Sequence, residues 1–427
     1  MAFKSLYLCY FGLREPLVQT QVLPYLREIR KDDIEVSILT FEPDLRSRWT
    51  SDQISAERAA LAAEGIAWHC LAYHKRPSVP ATFYDIFRGT LFIRRFIAKY
   101  KPDVLHGRVH IPTLMGALAR KLSRHKPKLL FDIRGFFPEE YTDAGVWPEG
   151  GWLYRSAKRV EKWLLKESDG FVVLTEKARQ ILFPKSDLSG SDAVGRPVEV
   201  IPCCLDPVRF SNAVRSGRPD YRHELGVDGR LVLAHTGSLG GLYLTEQLAD
   251  LLTAFRDRDP STFAMILTQS DPDLIVPLLE KRGFTSNDYL VTRVPSNDVP
   301  RYLLASDIGL SLVKAGYATA SRSPTKIPEY LAAGLPVISN AGVGDVDVQL
   351  STDRTGIILK SLTGPEYIRA INDVMSLLED ARLRDRCLNS VQSRFDLYGI
   401  GGVRYRRIYE CLIGNADCSV GAKKYLT

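Results

Sequence analysis

Short apolar runs alternate with amphipathic stretches along the whole chain, and the alternation predicts strands and helices in turn. In the first half the runs are SLYLCYF (5–11), IEVSILTF (34–41), IAWHCLAY (66–73), DVLH (103–106), KLLFDI (128–133), GFVVLT (170–175) and VEVIP (198–202). Between them lie segments with apolar residues at helical spacing, such as LVQTQVLPYLREIR (17–30) and YDIFRGTLFIRRFIAKY (84–100). The second half restarts the pattern with RLVLAHTG (230–237), STFAMILT (261–268), DYLVTRV (288–294), SDIGLSLV (306–313) and LPVISN (335–340). Buried strands joined by helices build parallel, doubly wound sheets, so two α/β Rossmann-like domains are expected. Their expected extents are 1–205 and 206–398, with a hinge near 203–212 where Asp206-Pro207 marks a turn. A helical stretch, VRYRRIYECLIG (403–414), follows Gly-rich IGG, so a helix within about 400–415 is expected to return to the first domain, with 416–427 as a tail.

A length of 427 residues suits two domains, and 45% hydrophobic with 25% charged residues excludes disordered, collagenous and disulfide-scaffold chains. Seven cysteines (9, 70, 203, 204, 387, 411 and 418) show neither CxxC nor His-paired spacing, which argues against a zinc site or a disulfide framework and for a reducing compartment. Cys203 and Cys204 read as strand packing. The N-terminus, MAFKSLYLCYFGLRE, reads as a first strand rather than a signal peptide, and no stretch approaches the roughly 18 apolar residues of a membrane span, so a cytoplasmic protein is expected. The net charge of +7 falls wholly in the first half, with 31 Lys and Arg against 24 Asp and Glu in residues 1–200 and 26 against 26 thereafter. That is mild for a nucleic-acid binder, and none is expected as partner. The segment GGWLYRSAKRVEKWLLKES (150–168) carries Trp152, Leu153, Trp163 and Leu164 among Arg155, Lys158, Arg159, Lys162 and Lys166. It suits peripheral contact with anionic lipid or packing on its own sheet.

Ligands of doubly wound sheets bind beyond the carboxyl ends of strands. Gly12, in the first such loop, is either a structural turn or a ligand contact. In the second domain Gly237 and Ser238 open a glycine-rich turn suited to a diphosphate, without the GxGxxG spacing of a nicotinamide site. The densest segment is SRSPTKIPEYLAAGLPVI (321–338). Lys326 and Glu329, three apart, share a helical face; they address one ligand, phosphate and vicinal hydroxyls, or form a surface ion pair. After DVLH stand His106 and Arg108, and after KLLF stand Asp132, Arg134 and Glu139. Asp132 and Arg134 suit sugar hydroxyl and phosphate, or tie down their loop; His106 is an acceptor contact or a structural hydrogen bonder.

VIPCCLDPVRF (200–210), AHTGSLGG and SPTKIPEYLAAGLPVI together resemble the GT-B-fold retaining glycosyltransferases of the large "group 1" family, family 4. The resemblance covers nearly the whole chain. It implies two domains facing a cleft, an acceptor-binding first domain, a nucleotide-sugar-binding second domain, and catalysis without cofactor or metal. It places Glu329 on the ribose hydroxyls and Lys326 at the diphosphate, with Ser323, Thr325, Arg293 and Val294 on the donor side. It makes Asp132, Arg134 and Lys326 the catalytic candidates, with His106, Arg108 and Glu139 for a saccharide or lipid-linked acceptor. Ser321 stands where the family has a first glutamate. Asp345-Val346-Asp347 has the spacing of a metal-binding DxD but follows a different strand. Two other readings remain, a non-catalytic nucleotide-sugar-binding partner subunit and a nucleotide-sugar 2-epimerase.

Overall fold

The computed structural model describes residues 3–186, 190–210, 213 and 218–414. The tail expected at 416–427 and part of the expected hinge lie outside them. Two compact units are present: residues 1–202 with 401–427, and residues 203–400.

The first unit holds a parallel sheet in the order β3-β2-β1-β4-β5-β6-β7. Its strands are β1 (Phe3–Leu8), β2 (Ile34–Pro43), β3 (Ile66–Tyr73), β4 (Val104–Arg108), β5 (Lys128–Ile133), β6 (Gly170–Val173) and β7 (Val198–Val200). The second unit holds β8 (Val232–Thr236), β9 (Phe263–Leu267), β10 (Tyr289–Thr292), β11 (Ile308–Ser311), β12 (Val337–Asn340) and β13 (Gly356–Leu359), in the order β10-β9-β8-β11-β12-β13. Every apolar run named above forms a strand. The expectation missed only β13, four residues at the sheet edge whose run, GIIL, is too short to stand out.

Strand side chains alternate between faces, and the first unit uses its two faces differently. Leu6, Leu8, Leu105, Leu129, Phe131 and Phe171 point to an apolar core closed by Ile93, Phe96, Ile97 and Met115 from the helices Ser78–Tyr100 and His110–Lys121. On the other face, Tyr7 stands beside His106 and Arg108 beside Asp132 in register. The return helix, Val403–Ile413, covers this polar face. Its Tyr405 hydroxyl donates to Asp132 at 2.9 Å, and its Tyr409 hydroxyl lies 2.9 Å from both Ser5 Oγ and His106 Nδ1. Arg406 reaches Glu28 at 3.2 Å and Arg407 reaches Glu199 at 3.3 Å. The helix is thus a structural part of the first unit.

Cys9, Cys70, Cys203, Cys204 and Cys387 are free. Cys411, on the return helix, is disulfide-bonded, which its isolated position in the sequence did not lead us to expect. Among the described residues no helix is long and apolar enough to cross a membrane.

Tyr405→Phe removes the hydroxyl that donates to a buried carboxylate, and it is expected to destabilise the first unit by about 1 to 3 kcal/mol. Urea denaturation of the full chain measures the loss; an unchanged midpoint would mean that the arginines alone satisfy Asp132.

Candidate functional site

In a doubly wound sheet a crevice opens where neighbouring strands send their chains in opposite directions. In the second unit this point lies between β8 and β11, and in the first between β1 and β4. β8 and β11 pair only through Leu233 with Ile308 and Ala234 with Gly309. Beyond that, Tyr330 fills the gap: its oxygen accepts the Thr236 N–H at 2.8 Å, and its hydroxyl donates to the Leu310 carbonyl at 3.1 Å. A Cβ at position 309 would stand 2.4 Å from the Tyr330 ring, so glycine is needed there. The chain then turns at Gly237, where φ is 107°, a conformation that side chains disfavour.

Lys326 reaches this turn. Its Nζ would lie 3.5 Å from a Cβ on Gly237 and is 5.0 Å from the centre of the Tyr243 ring. The residue is 6% exposed and Nζ has no hydrogen-bond partner. Burial pulls its pKa down to about 7, and the Glu329 charge offsets only part of that. Next to it His235 is buried, and burial together with the Lys326 charge holds it well below its ordinary value, so it is neutral. A buried ammonium with neither hydrogen bond nor ion pair among the described residues, beside a glycine turn at a strand end, has the electrostatics of an anion site.

Glu329 lies one turn further along the helix Lys326–Ala332. Its ion pair is with Arg209, at 3.1 Å, rather than with Lys326, so the simple surface-pair reading of Lys326 and Glu329 does not describe them. Burial raises the Glu329 pKa, while Arg209 and Lys326 oppose the rise. Arg209 is itself anchored on the Ser296 carbonyl at 2.7 Å.

The remaining donor-side candidates are dispersed. The Gly237 N–H is committed to the Leu267 carbonyl at 2.9 Å, whereas Ser238 is exposed and its N–H makes no hydrogen bond among the described residues. The Ser323 hydroxyl accepts the Cys203 N–H at 3.1 Å, and Thr325 starts the helix of Lys326. Val294 is a core residue, whereas Arg293 is an exposed cation just past β10, two strands from β8. Ser321 is buried and donates to the Ala318 carbonyl at 2.7 Å. Asp347 accepts the Gly342 N–H at 3.1 Å within its own loop.

In the first unit, Asp132, His106 and Arg108 do come together, but beneath the return helix. Asp132 is fully buried, with His106 at 3.5 Å, Arg108 at 3.7 Å and Arg134 at 3.8 Å. Burial alone would raise its pKa; Arg134, the His106 hydrogen bond and Arg108 outweigh it and hold Asp132 at about 2. Burial lowers the His106 pKa. Glu139 accepts from Tyr154 at 3.1 Å and pairs with Lys158 at 2.9 Å. These candidates therefore have internal partners. What the first unit presents at its own switch point is different. The turn at Gly12 is clasped by buried Glu42, which accepts the Leu13 N–H at 2.9 Å. Across from it, Val109 sits at φ 61° and ψ −177°, a strained conformation for a β-branched residue, costing roughly 1 to 3 kcal/mol. The Val109 N–H on the Asp132 carbonyl, at 2.9 Å, helps to hold it. Beyond β1 and β3, buried Asp85 accepts from Tyr10 at 2.7 Å and contacts His74 Nδ1 at 2.5 Å, leaving the other edge of the His74 ring half exposed.

Residues 18–204 match the family model described as a glycosyl transferase 4-like domain. No curated protein matches the sequence. Among solved structures, this chain is similar to sucrose-phosphate synthase from Thermosynechococcus elongatus, with 15% identity and a TM-score of 0.71 over 97% of this chain and 100% of that one. A glycosyltransferase from Rickettsia africae is 16% identical, with a TM-score of 0.68 over 97% and 99%. HepE of Anabaena, solved in complex with UDP-glucose, is 16% identical, with a TM-score of 0.63 over 96% and 99%. The fold is therefore GT-B, as the motif resemblance implies.

Arg209, Tyr330, His235, Glu42 and Asp85 were not singled out from the sequence. Arg209 and Tyr330 lie inside VIPCCLDPVRF and SPTKIPEY, and Glu42 and Asp85 are lone acids in otherwise apolar runs. That last pattern is the cue a sequence offers for a buried polar group.

Lys326→Met is expected to raise the melting temperature of the ligand-free protein, because it removes a buried cation that has no hydrogen-bond partner. The gain should be full below about pH 7 and shrink as pH rises toward the ordinary lysine value near roughly 10.4. In that window the unfolded chain keeps a proton that native Lys326 has lost, so the wild type gains stability as pH rises. Scanning calorimetry at several pH values checks this; a loss of stability at low pH would mean that the ammonium is compensated.

Proposed function

We propose that this protein transfers a sugar from a nucleoside-diphosphate sugar to a hydroxyl of a saccharide or lipid-linked acceptor in the cytoplasm, with retention of anomeric configuration, in polysaccharide or glycolipid assembly. The observation that carries the reading is the buried, unpartnered Lys326 ammonium at the β8–β11 switch point, one helical turn from Glu329. HepE, which shares the fold, is solved with UDP-glucose.

In this reading the second unit holds the donor. The diphosphate meets Lys326 and the Ser238 amide, and Glu329 accepts the ribose hydroxyls. Arg209 favours the ionised form of that carboxylate against the effect of its burial. The acceptor oxygen bonds to the anomeric carbon as the bond from that carbon to the phosphate oxygen breaks, and the acceptor proton passes to the departing phosphate oxygen. Atoms balance without a protein base. Charge grows on the leaving diphosphate in the transition state, where a preorganised cation in a water-poor setting acts most strongly. Lys326 is thus the catalytic residue. Asp132 is ionised and enclosed, so it neither donates a proton nor meets substrate; with Arg108 and Arg134 it positions the loops after β4 and β5. His106 and Glu139 act likewise through their neighbours, and the acceptor meets the loops carrying Gly12, Val109 and His74.

Burial of Ser321 in place of a carboxylate favours one second reading, a nucleotide-sugar-binding partner subunit without turnover. Incubation with UDP-, GDP- and dTDP-sugars, with and without acceptors, separates the readings. Released nucleotide with a retained linkage by NMR supports transfer, binding without turnover supports the partner subunit, and isomerised sugar supports a 2-epimerase.

Glu329→Gln is expected to weaken donor binding by about 1.5 to 3 kcal/mol while circular dichroism is unchanged. Lys326→Ala should mainly lower turnover. UDP affinity, by calorimetry, should be level below about pH 7 and fall above it, as the free protein's Lys326 loses its proton, and the pH dependence should vanish in Lys326→Ala. Because Lys326 supplies the cation, EDTA should leave turnover unchanged; a loss restored by Mg²⁺ would refute that role. If neither variant alters binding or turnover, the reading fails.

A further inference from the structure

The surplus charge of the chain is concentrated in one place. Residues 74–101 hold seven Lys or Arg against a single acid, Asp85, while the whole chain carries +7. All seven cations are exposed, whereas Asp85 is fully buried on Tyr10 and His74. Among the described residues no carboxylate pairs with any of the seven. Elsewhere on the first unit such pairs are common, as with Arg27 and Glu64 or Lys121 and Glu167.

The same segment carries exposed aromatic residues. At 100° per residue, Phe83, Tyr84, Phe87 and Leu91 fall on one side of the helix Ser78–Tyr100, opposite the buried Ile93, Phe96 and Ile97. Phe83 is 65% exposed, Tyr84 46% and Phe87 60%. Lys75 and Arg76 precede them and Arg88, Arg94 and Arg95 follow, so an apolar patch is flanked by unpaired cations along about 34 Å of helix.

The segment 150–168, where the sequence suggested lipid contact, has spent its apolar side. In its helix Trp152–Glu167, Leu164 is buried, Val160 and Trp163 pack on the core, and Lys158 is bound to Glu139 and Glu161. Trp152 alone among its large apolar residues stays well exposed.

We propose that the outer face of the helix Ser78–Tyr100 docks on an anionic phospholipid bilayer. Phe83, Tyr84 and Phe87 enter the headgroup boundary and the flanking Lys and Arg meet lipid phosphates. Phenylalanines form no hydrogen bond to phosphate, so two of them in the open among unpaired cations fit an interface with acyl chains better than a nucleic-acid backbone. The proposal stands independently of the sugar-transfer reading.

Flotation of the full-length protein tests it, using vesicles of phosphatidylcholine alone and of phosphatidylcholine with an equal part of phosphatidylglycerol. The wild type should float with the anionic vesicles, less so at high salt. Phe83→Ser/Phe87→Ser and Arg94→Gln/Arg95→Gln should each lower the bound fraction at least tenfold, and Trp152→Ser should not. Unchanged circular dichroism and an unchanged urea midpoint show that the variants fold. Equal flotation with both vesicles, wild-type flotation of the Phe83→Ser/Phe87→Ser or Arg94→Gln/Arg95→Gln variants, or binding to a DNA or RNA duplex in place of vesicles would overturn the proposal.

Discussion

The phenol of Tyr330 fills a gap that two strands leave between them. Where β8 and β11 diverge, a Thr236 N–H and a Leu310 carbonyl would face each other without partners, and one hydroxyl satisfies both. Buried backbone groups left unpaired are costly, so the divergence is tolerable only with that hydroxyl in place. The ring in turn needs the missing side chain of Gly309. From this arrangement follow the Gly237 turn, the position of Lys326 beside it, and Glu329 as the residue adjacent to Tyr330 in the helix.

The two units handle buried charge in opposite ways. In the first, the Asp132 carboxylate is enclosed by Arg108, Arg134, His106 and the Tyr405 hydroxyl, and it is ionised among cations, with one oxygen accepting from Tyr405. That network attaches the return helix to the polar face of the sheet, so its role is cohesion. In the second, Lys326 has burial without hydrogen bonds, and its depressed pKa records the cost. A group that destabilises the free protein and would be relieved by an anion points to binding, since folding alone favours its replacement. Strained Val109, at the corresponding place in the first unit, belongs to the same category of local cost.

Much of this protein was legible without coordinates. Apolar runs of strand length separated by helical spacing led to two doubly wound sheets, because a strand buried on both faces needs a continuous apolar stretch whatever its neighbours are. The short edge strand β13 escaped, having only four residues to show a pattern. The segment around Lys326 and Glu329 was legible because one helix places both, so spacing alone implies proximity.

The partners of those residues were not legible. Arg209 meets Glu329 across 120 positions and Tyr405 meets Asp132 across 273, and no local periodicity reports such distances. Sequence reading left Asp132 and His106 between a ligand contact and a structural role, because polar residues at strand ends face a crevice; the structure covers them, with Arg108, by a helix from the far end of the chain. For the 150–168 segment it left lipid contact and packing on the sheet both open; packing uses that apolar face, and the one on Ser78–Tyr100 is left bare. The sequence by itself determined the elements, the two sheets and the chemistry available on one helix, since these depend on neighbours in the chain. Which charges are paired, which buried lysine is left without a hydrogen bond and which aromatic residues meet solvent were decided by tertiary structure alone, because burial and compensation are properties of what packs from elsewhere.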